Sequence, residues 1–238
     1  MSTLQCIACK PTHYTQKEIS DEGGKTMIEY NKIDTVFERD TTGSKKLIYG
    51  KYRDKTVEYL ANNEWEFTEK IDGTNIRVYW DGHKIAFGGR TERATIPPHL
   101  LSKLQAIFLN SVVEELFEQK FGAKEVILFG EGYGAKIQNG SLYRPDVGFI
   151  LFDVMIAGNY QPRETVEDVA RCFGLEIVPI VLRGTITDAI NYVKRYPAST
   201  IGGKALMEGV VGRPKVETRD RCGKRLIVKI KACDFVED

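Results

Sequence analysis

Aromatic and β-branched residues crowd two short runs early in the chain, "KLIYGKY" (46–52) and "EWEFTEK" (64–70), and both predict strands. "TNIRVYWDGHKIAFGG" (74–89) alternates on either side of Asp81-Gly82, the signature of a hairpin turn. The period then changes. Leu101, Leu104, Phe108, Val112 and Leu116 recur at helical spacing, with prolines ahead of them and Gly122 behind, which predicts one long amphipathic helix with its apolar stripe in the core. "EVILFGEGYG" (125–134) and "VGFILFDVMI" (147–156) are apolar enough to be buried strands, joined by a glycine-rich polar loop. "ETVEDVARCFG" and "TDAINYVKR" predict short helices around a strand "EIVPIVL", and "LMEGVVGRP" and "RLIVKIKACDF" predict the last two strands.

Strands, a helix, strands, two small helices and strands again make an α+β chain with mostly antiparallel sheets flanked by helices, rather than a regular βαβ alternation. No linker or internal repeat divides it. The expected organisation is an N-terminal extension over residues 1–63, partly flexible, followed by one domain over residues 64–238.

Composition narrows this little. The 238 residues are 42% hydrophobic and 28% charged, with a net charge of +1, which neither advertises nor excludes a polyanion partner. No apolar run approaches the roughly 20 residues of a membrane span, and the first residues lack the pattern of a secretory leader. Five irregularly spaced cysteines predict reduced thiols and a cytoplasmic protein, or one made by a phage and acting in its host's cytoplasm. Cys6, Cys9 and His13 have the look of zinc ligands, but a closed site needs four, and Cys172, Cys222 and Cys233 are scattered singly; a loose tail is the preferred reading. "GGKT" (Gly23–Thr26) is not a phosphate loop, because Ile19 stands where that loop needs glycine.

Five places put polar groups where strands end or turn. Lys70 stands at the mouth of the "KIDGTN" turn, which Gly73 lets close. Glu131 sits between glycines straight after "VILF", and in "GFILFDV" Phe149 and Phe152 are core-like, though one of them could stack on a nucleobase. Glu208 opens "EGVV", and Lys229 and Lys231 share one face of the last strand while Val228 and Ile230 take the other. Each has a bland alternative: a solvated lysine, a turn glutamate, a core phenylalanine, a solvent-facing strand. Two lysines side by side repel, however, which suggests an anion between them.

The order of these features is more telling than any one of them. "EKIDGTN", "FGEGYG…KIQNG", "FILFDV", "EGVV" and "RLIVKIK" resemble the motif series of the covalent nucleotidyltransferases, the superfamily of polynucleotide ligases and mRNA capping enzymes. Within it they look most like the phage RNA ligase 2-like branch, because Asn75 closes the first motif where DNA ligases and capping enzymes usually carry arginine. The resemblance covers about residues 64–235 and implies the nucleotidyltransferase (ligase adenylation domain) fold.

It also implies an ATP-dependent RNA ligase that uses ATP with Mg²⁺ or Mn²⁺ and seals 5′-phosphate to 3′-hydroxyl RNA ends, nicked or single-stranded, with no membrane and no obligate protein partner. Lys70 would be the nucleophile that carries AMP. It attacks only as the amine, and Lys229 and Lys231 would disfavour its ammonium form and neutralise the phosphates. Glu131 resembles the residue on the ribose hydroxyls, Phe152 the aromatic on adenine, and Glu208 the residue that holds the metal or its waters. Arg90 matches an arginine on the nucleotide or 5′-phosphate, Asn75 one that positions a metal-bound water, and Glu69 sits beside the base. Gly212 and Arg213 depart from the pattern, and no OB-fold is expected after Lys231, which counts against DNA sealing and capping. A minimal DNA ligase core, a guanylyltransferase and a catalytically silent binding module are the alternatives. A kinase is disfavoured by the lack of its motifs.

Overall fold

The apolar runs of the sequence are folded into two main sheets. A computed structural model describes residues 28–220 and 223–235. Its strands are β1 (Asp34–Thr35), β2 (Phe37–Arg39), β3 (Leu47–Tyr52), β4 (Trp65–Glu69), β5 (Thr74–Trp80), β6 (Ile85–Gly88), β7 (Val126–Gly134), β8 (Val147–Ile156), β9 (Asn159–Tyr160), β10 (Glu176–Ile177), β11 (Ile180–Gly184), β12 (Gly209–Pro214) and β13 (Val228–Lys231). The helices are α1 (Lys55–Tyr59), α2 (Pro98–Phe108), α3 (Ser111–Phe121), α4 (Arg163–Phe173) and α5 (Ile186–Val193). One sheet runs β1-β13-β12-β4-β11 and the other β10-β8-β7-β5-β6 with β9 beside β8; both are antiparallel except where β1 meets β13 and β10 meets β8. The α+β architecture expected from the sequence is the one observed.

Strand alternation explains how the sheets face each other. Ile76, Val78 and Trp80 of β5 and Val126 and Leu128 of β7 pack under α2, α3 and α4. Trp65 and Phe67 of β4, Val210 of β12 and Val228 and Ile230 of β13 pack against α5 and the segment around α1. The opposite faces therefore present Thr68, Val211 and Lys229 from one sheet, and Asn75, Glu131 and Phe152 from the other, to a common cavity.

Two elements differ from the sequence expectation. The single long helix is two, α2 and α3. Asn110 adopts an extended conformation and its side chain accepts from Val113 N at 3.1 Å, capping α3 and competing successfully with helix continuation. The stripe shifts phase at the break, so Phe117 and Phe121 are buried and Val112 is exposed. "EIVPIVL" is also two elements. Pro179 has no N–H for a ladder, and there the chain passes from β10 in one sheet to β11 in the other, with Pro179 O accepting from Glu69 N.

The described residues before position 64 join both cores. Asp34 and Thr35 pair with Val228 and Lys229, Val36 and Phe37 enter the core under α5, and Tyr30 packs with Phe129. Cys6, Cys9, His13 and the "GGKT" stretch lie outside the described residues. No helix among the described residues is long and apolar enough to cross a membrane.

Candidate active site

Lys70 leaves the end of β4, and its backbone is fixed by donation from Lys70 N to Gly209 O at 2.9 Å. The turn that follows lies hard against β7: a Cβ on Gly73 would stand 2.4 Å from Gly132 O and 2.8 Å from Glu131 Cγ, so only glycine fits. Asp72 is held from the far side, accepting from Asn139 Nδ2 at 2.9 Å. The amine of Lys70 donates to Glu208 Oε2 at 2.5 Å, and Lys231 Nζ lies 2.6 Å from the other oxygen, Oε1. Glu208 thus bridges the two lysines. It precedes Gly209, whose φ of +154° and closeness to Ile230 O admit no side chain.

Lys229 and Lys231 share the cavity side of β13, as the sequence predicts, but their surroundings set them apart. Burial, then Lys231 and Lys70, hold Lys229 below the usual lysine pKa. Burial is also the largest single effect on Lys231 and works in the same direction, yet the bond to Glu208 and the charges of Glu208, Cys233 and Asp234 together outweigh it and the pKa is raised.

Glu131 faces the cavity opposite Asn75 in the β5–β7 ladder. Its neighbours must be glycine, because a Cβ on Gly130 would strike the Phe149 ring and one on Gly132 the Leu100 side chain, both on the helix-covered face. Burial raises the Glu131 pKa to about 8; Lys70 opposes the shift, and Glu208 and Asp72 add to it. The carboxyl is therefore largely protonated at neutral pH and can donate as well as accept.

The β7–β8 ladder slips between Phe129, opposite Asp153, and Gly130, opposite Leu151, so Phe152 is the extra residue of a bulge. The bulge turns two consecutive residues, Phe152 and Asp153, away from the helix-covered core. Phe152 lines the cavity and meets the Tyr30 ring edge-on at 5.1 Å. Asp153 is completely buried and accepts from Tyr30 Oη and Arg213 Nη2, each at 2.9 Å, and from Arg225 Nη1.

Seven of the nine residues expected from the sequence line one cavity: Glu69, Lys70, Asn75, Arg90, Glu131, Phe152 and Lys229. Glu208 and Lys231 join it through Lys70. The carboxylate of Glu69, however, is taken up by Ser199 Oγ, Thr200 N and Thr200 Oγ1 at 2.5–2.8 Å, which ties the α5–β12 connection to the foot of Lys70. Sequence reasoning did not single out Tyr30, Lys32 or Arg77, and marked Arg213 only as a departure from the family pattern. Tyr30, Lys32 and Arg213 line the cavity, and Arg213 pairs with Asp153. Buried Arg77 donates through Nε to Gly89 O at 2.6 Å, fixing the loop that presents Arg90. Arg213, a departure from the family pattern, was the one visible signal among them.

No group of three or more histidines, cysteines or acids that could hold a metal occurs among the described residues. Asn75 Oδ1 is buried without a hydrogen-bond partner and Glu208 lies nearby on Lys70. That donor set suits an ion such as Mg²⁺, which takes one or two protein oxygens and completes its shell with phosphate oxygens and water.

A profile of the RNA ligase family matches residues 63–231. Among curated proteins, none matches the chain. Solved structures with the same fold include the Naegleria gruberi RNA ligase with PPi, at 18% identity and a TM-score of 0.56 over 92% of this chain and 66% of that one. A form of the Naegleria enzyme with ATP and Mn gives 17%, 0.56, 74% and 51%, and an archaeal ATP-dependent RNA ligase 16%, 0.58, 87% and 49%. The chain spans about half the length of the latter two. With the profile spanning well over half of the sequence, from just before β4 to the end of β13, the chain belongs to the RNA ligase family.

Proposed function

We propose that this chain is the adenylation domain of an ATP-dependent RNA ligase, akin to the phage RNA ligase 2-like branch, and that Lys70 carries the nucleotide. The observation that carries the reading is the placing of Lys70 Nζ on Glu208, beside Lys231, at a cavity whose walls are Glu131, Phe152 and Lys229.

In the first step Lys70 Nζ, having lost a proton, attacks the α-phosphorus of ATP. A P–N bond forms, the bond to the bridging oxygen breaks, and pyrophosphate leaves. Lys229 and Lys231 offset the charge that gathers on the phosphates. Phe152, backed by Tyr30, offers its face to the base, and Glu131 meets the ribose hydroxyls. Glu208 and Asn75 would hold Mg²⁺ or Mn²⁺, which supplies further neutralisation of phosphate charge when bound. An oxygen of the RNA 5′-phosphate then attacks the AMP phosphorus and its bond to Lys70 Nζ breaks. A 3′-hydroxyl next attacks the phosphorus of that 5′-phosphate, the bond to the AMP oxygen breaks, and AMP leaves as the ends are joined. Arg90, at the cavity rim, suits the incoming phosphate.

Incubation with α-labelled ATP and Mg²⁺, then denaturing electrophoresis, tests the first step. The wild type is expected to carry label that Lys70→Ala loses entirely and that α-labelled GTP does not give. A folded wild type that takes up no label would refute the reading. Sealing of a nicked RNA duplex tests the remaining steps.

A further inference from the structure

Outside the cavity, the most distinctive surface is the β2–β3 hairpin. It forms a two-stranded sheet of its own and carries exposed large side chains, Ile48 at 41% and Tyr49 at 62%. Residues 37–53 hold five basic and two acidic side chains, in a chain whose total charge is only +1. Both acids are engaged, Asp40 by Thr42 and Ser44 within the turn and Glu38 by Lys51; Arg39 and Arg53 are paired in turn with Asp234 and Asp34.

Tyr49 is not a loose side chain. Its ring is held edge-on by Phe37 at 5.2 Å and by Phe235 at 6.4 Å, an arrangement that fixes the ring yet leaves most of it open. Lys194 Nζ lies 5.2 Å over the same ring. An exposed, immobilised aromatic with a cation over it is the arrangement that stacks on a nucleobase while the cation meets a phosphate.

The hairpin is also locked to the active site. Arg39 grips Asp234 with two 2.7 Å bonds, and Asp234 and Phe235 belong to the short helical turn that directly follows Lys231. At the other end, β1 pairs Thr35 with Lys229 and leads straight into β2. The ring is therefore tied, through β2 and β1, to the strand that carries both lysines.

We propose that this hairpin is an RNA-docking surface, with Tyr49 stacking on a base and Lys45 and Lys194 meeting the phosphates of the strand that leads into the cavity. The proposal rests on the RNA-ligase reading above and gives that reading a polynucleotide surface beyond the nucleotide pocket.

The test is fluorescence anisotropy on a labelled RNA duplex with a 3′-hydroxyl/5′-phosphate nick, using the wild type, Tyr49→Ala, Tyr49→Phe and the double variant Lys45→Ala/Lys194→Ala. Tyr49→Ala should weaken binding about 10-fold and slow sealing, whereas Tyr49→Phe should behave as the wild type. The double variant should lower the slope of log affinity against log salt by roughly 1–2. Labelling by ATP without RNA should be unchanged in every variant, which also shows that each is folded. If the wild type seals RNA and Tyr49→Ala binds and seals equally well, the hairpin proposal is overturned and the ligase reading stands. If the wild type forms lysyl-AMP but neither binds nor seals RNA, the RNA reading fails and the hairpin proposal with it.

Discussion

Glu131 shows how a single side chain acquires its chemistry from packing. Glycines on both sides let β7 lie close to Phe149 and Leu100 on its helix-covered face, while Glu131, half-buried, faces the cavity. An acid whose folded pKa is raised from 4.5 to about 8 weakens the fold as pH climbs, because the unfolded chain releases its proton first. The cost is absent below about pH 4, grows between roughly pH 4.5 and 8, and is constant above, on the order of a few kcal/mol. Glu131→Gln should therefore raise Tm by several degrees at pH 9 and leave it unchanged near pH 4, while weakening nucleotide binding. Thermal denaturation across that range checks it. A variant no more stable than the wild type at pH 9 would mean that the carboxyl is better solvated than its burial implies.

At the scale of an element, the β8 bulge has two consequences. It aims Phe152 into the cavity, and it sets Asp153 beneath, where Tyr30, Arg213 and Arg225 converge on one oxygen. Arg225 is nearly as buried as Asp153 and also packs over the Tyr160 ring at 4.3 Å. Glu217 still pairs with Arg225 when the acid is removed, but Tyr30, Arg213 and Arg225 all lose their shared buried acceptor, so Asp153→Ala should cost about 3–5 kcal/mol. It should also weaken nucleotide binding, because Tyr30 then loses the bond that holds it behind Phe152. Urea denaturation and ATP titration measure the two effects. A loss below about 1 kcal/mol would show that water replaces the carboxylate.

For the whole molecule, the site belongs to the junction of two sheets rather than to either one. Lys70, Glu208, Lys229 and Lys231 come from one, Asn75, Glu131 and Phe152 from the other, and residues 28–37 stitch the two together through Tyr30 and the β1–β13 pairing. A chain beginning at residue 64 would expose the apolar surface that Val36, Phe37, Val57 and Ala61 now cover. It should lose cooperative thermal unfolding and ATP labelling together. Calorimetry on the shortened chain decides this: a sharp transition with retained labelling would mean that residues 64–238 suffice, as the sequence suggested.

What the sequence determined by itself was local. The period of two in β13 dictates that Lys229 and Lys231 share a face opposite Val228 and Ile230, and the glycine after Ile71-Asp72 dictates a tight turn behind Lys70. The break before α3 was equally local, written in Asn110, yet the continuing apolar period masked it. Tertiary structure decided the rest. The direction of the bulge, the turning of Glu69 toward Ser199 and Thr200, the seating of Tyr30 and Arg213, and the raised pKa of Glu131 all depend on distant partners. Asp153 is 123 positions from Tyr30 and 60 from Arg213, and Glu69 is 130 from Ser199. Periodicity and turn chemistry act over a few residues, whereas burial and charge pairing exist only once the two sheets have closed on each other.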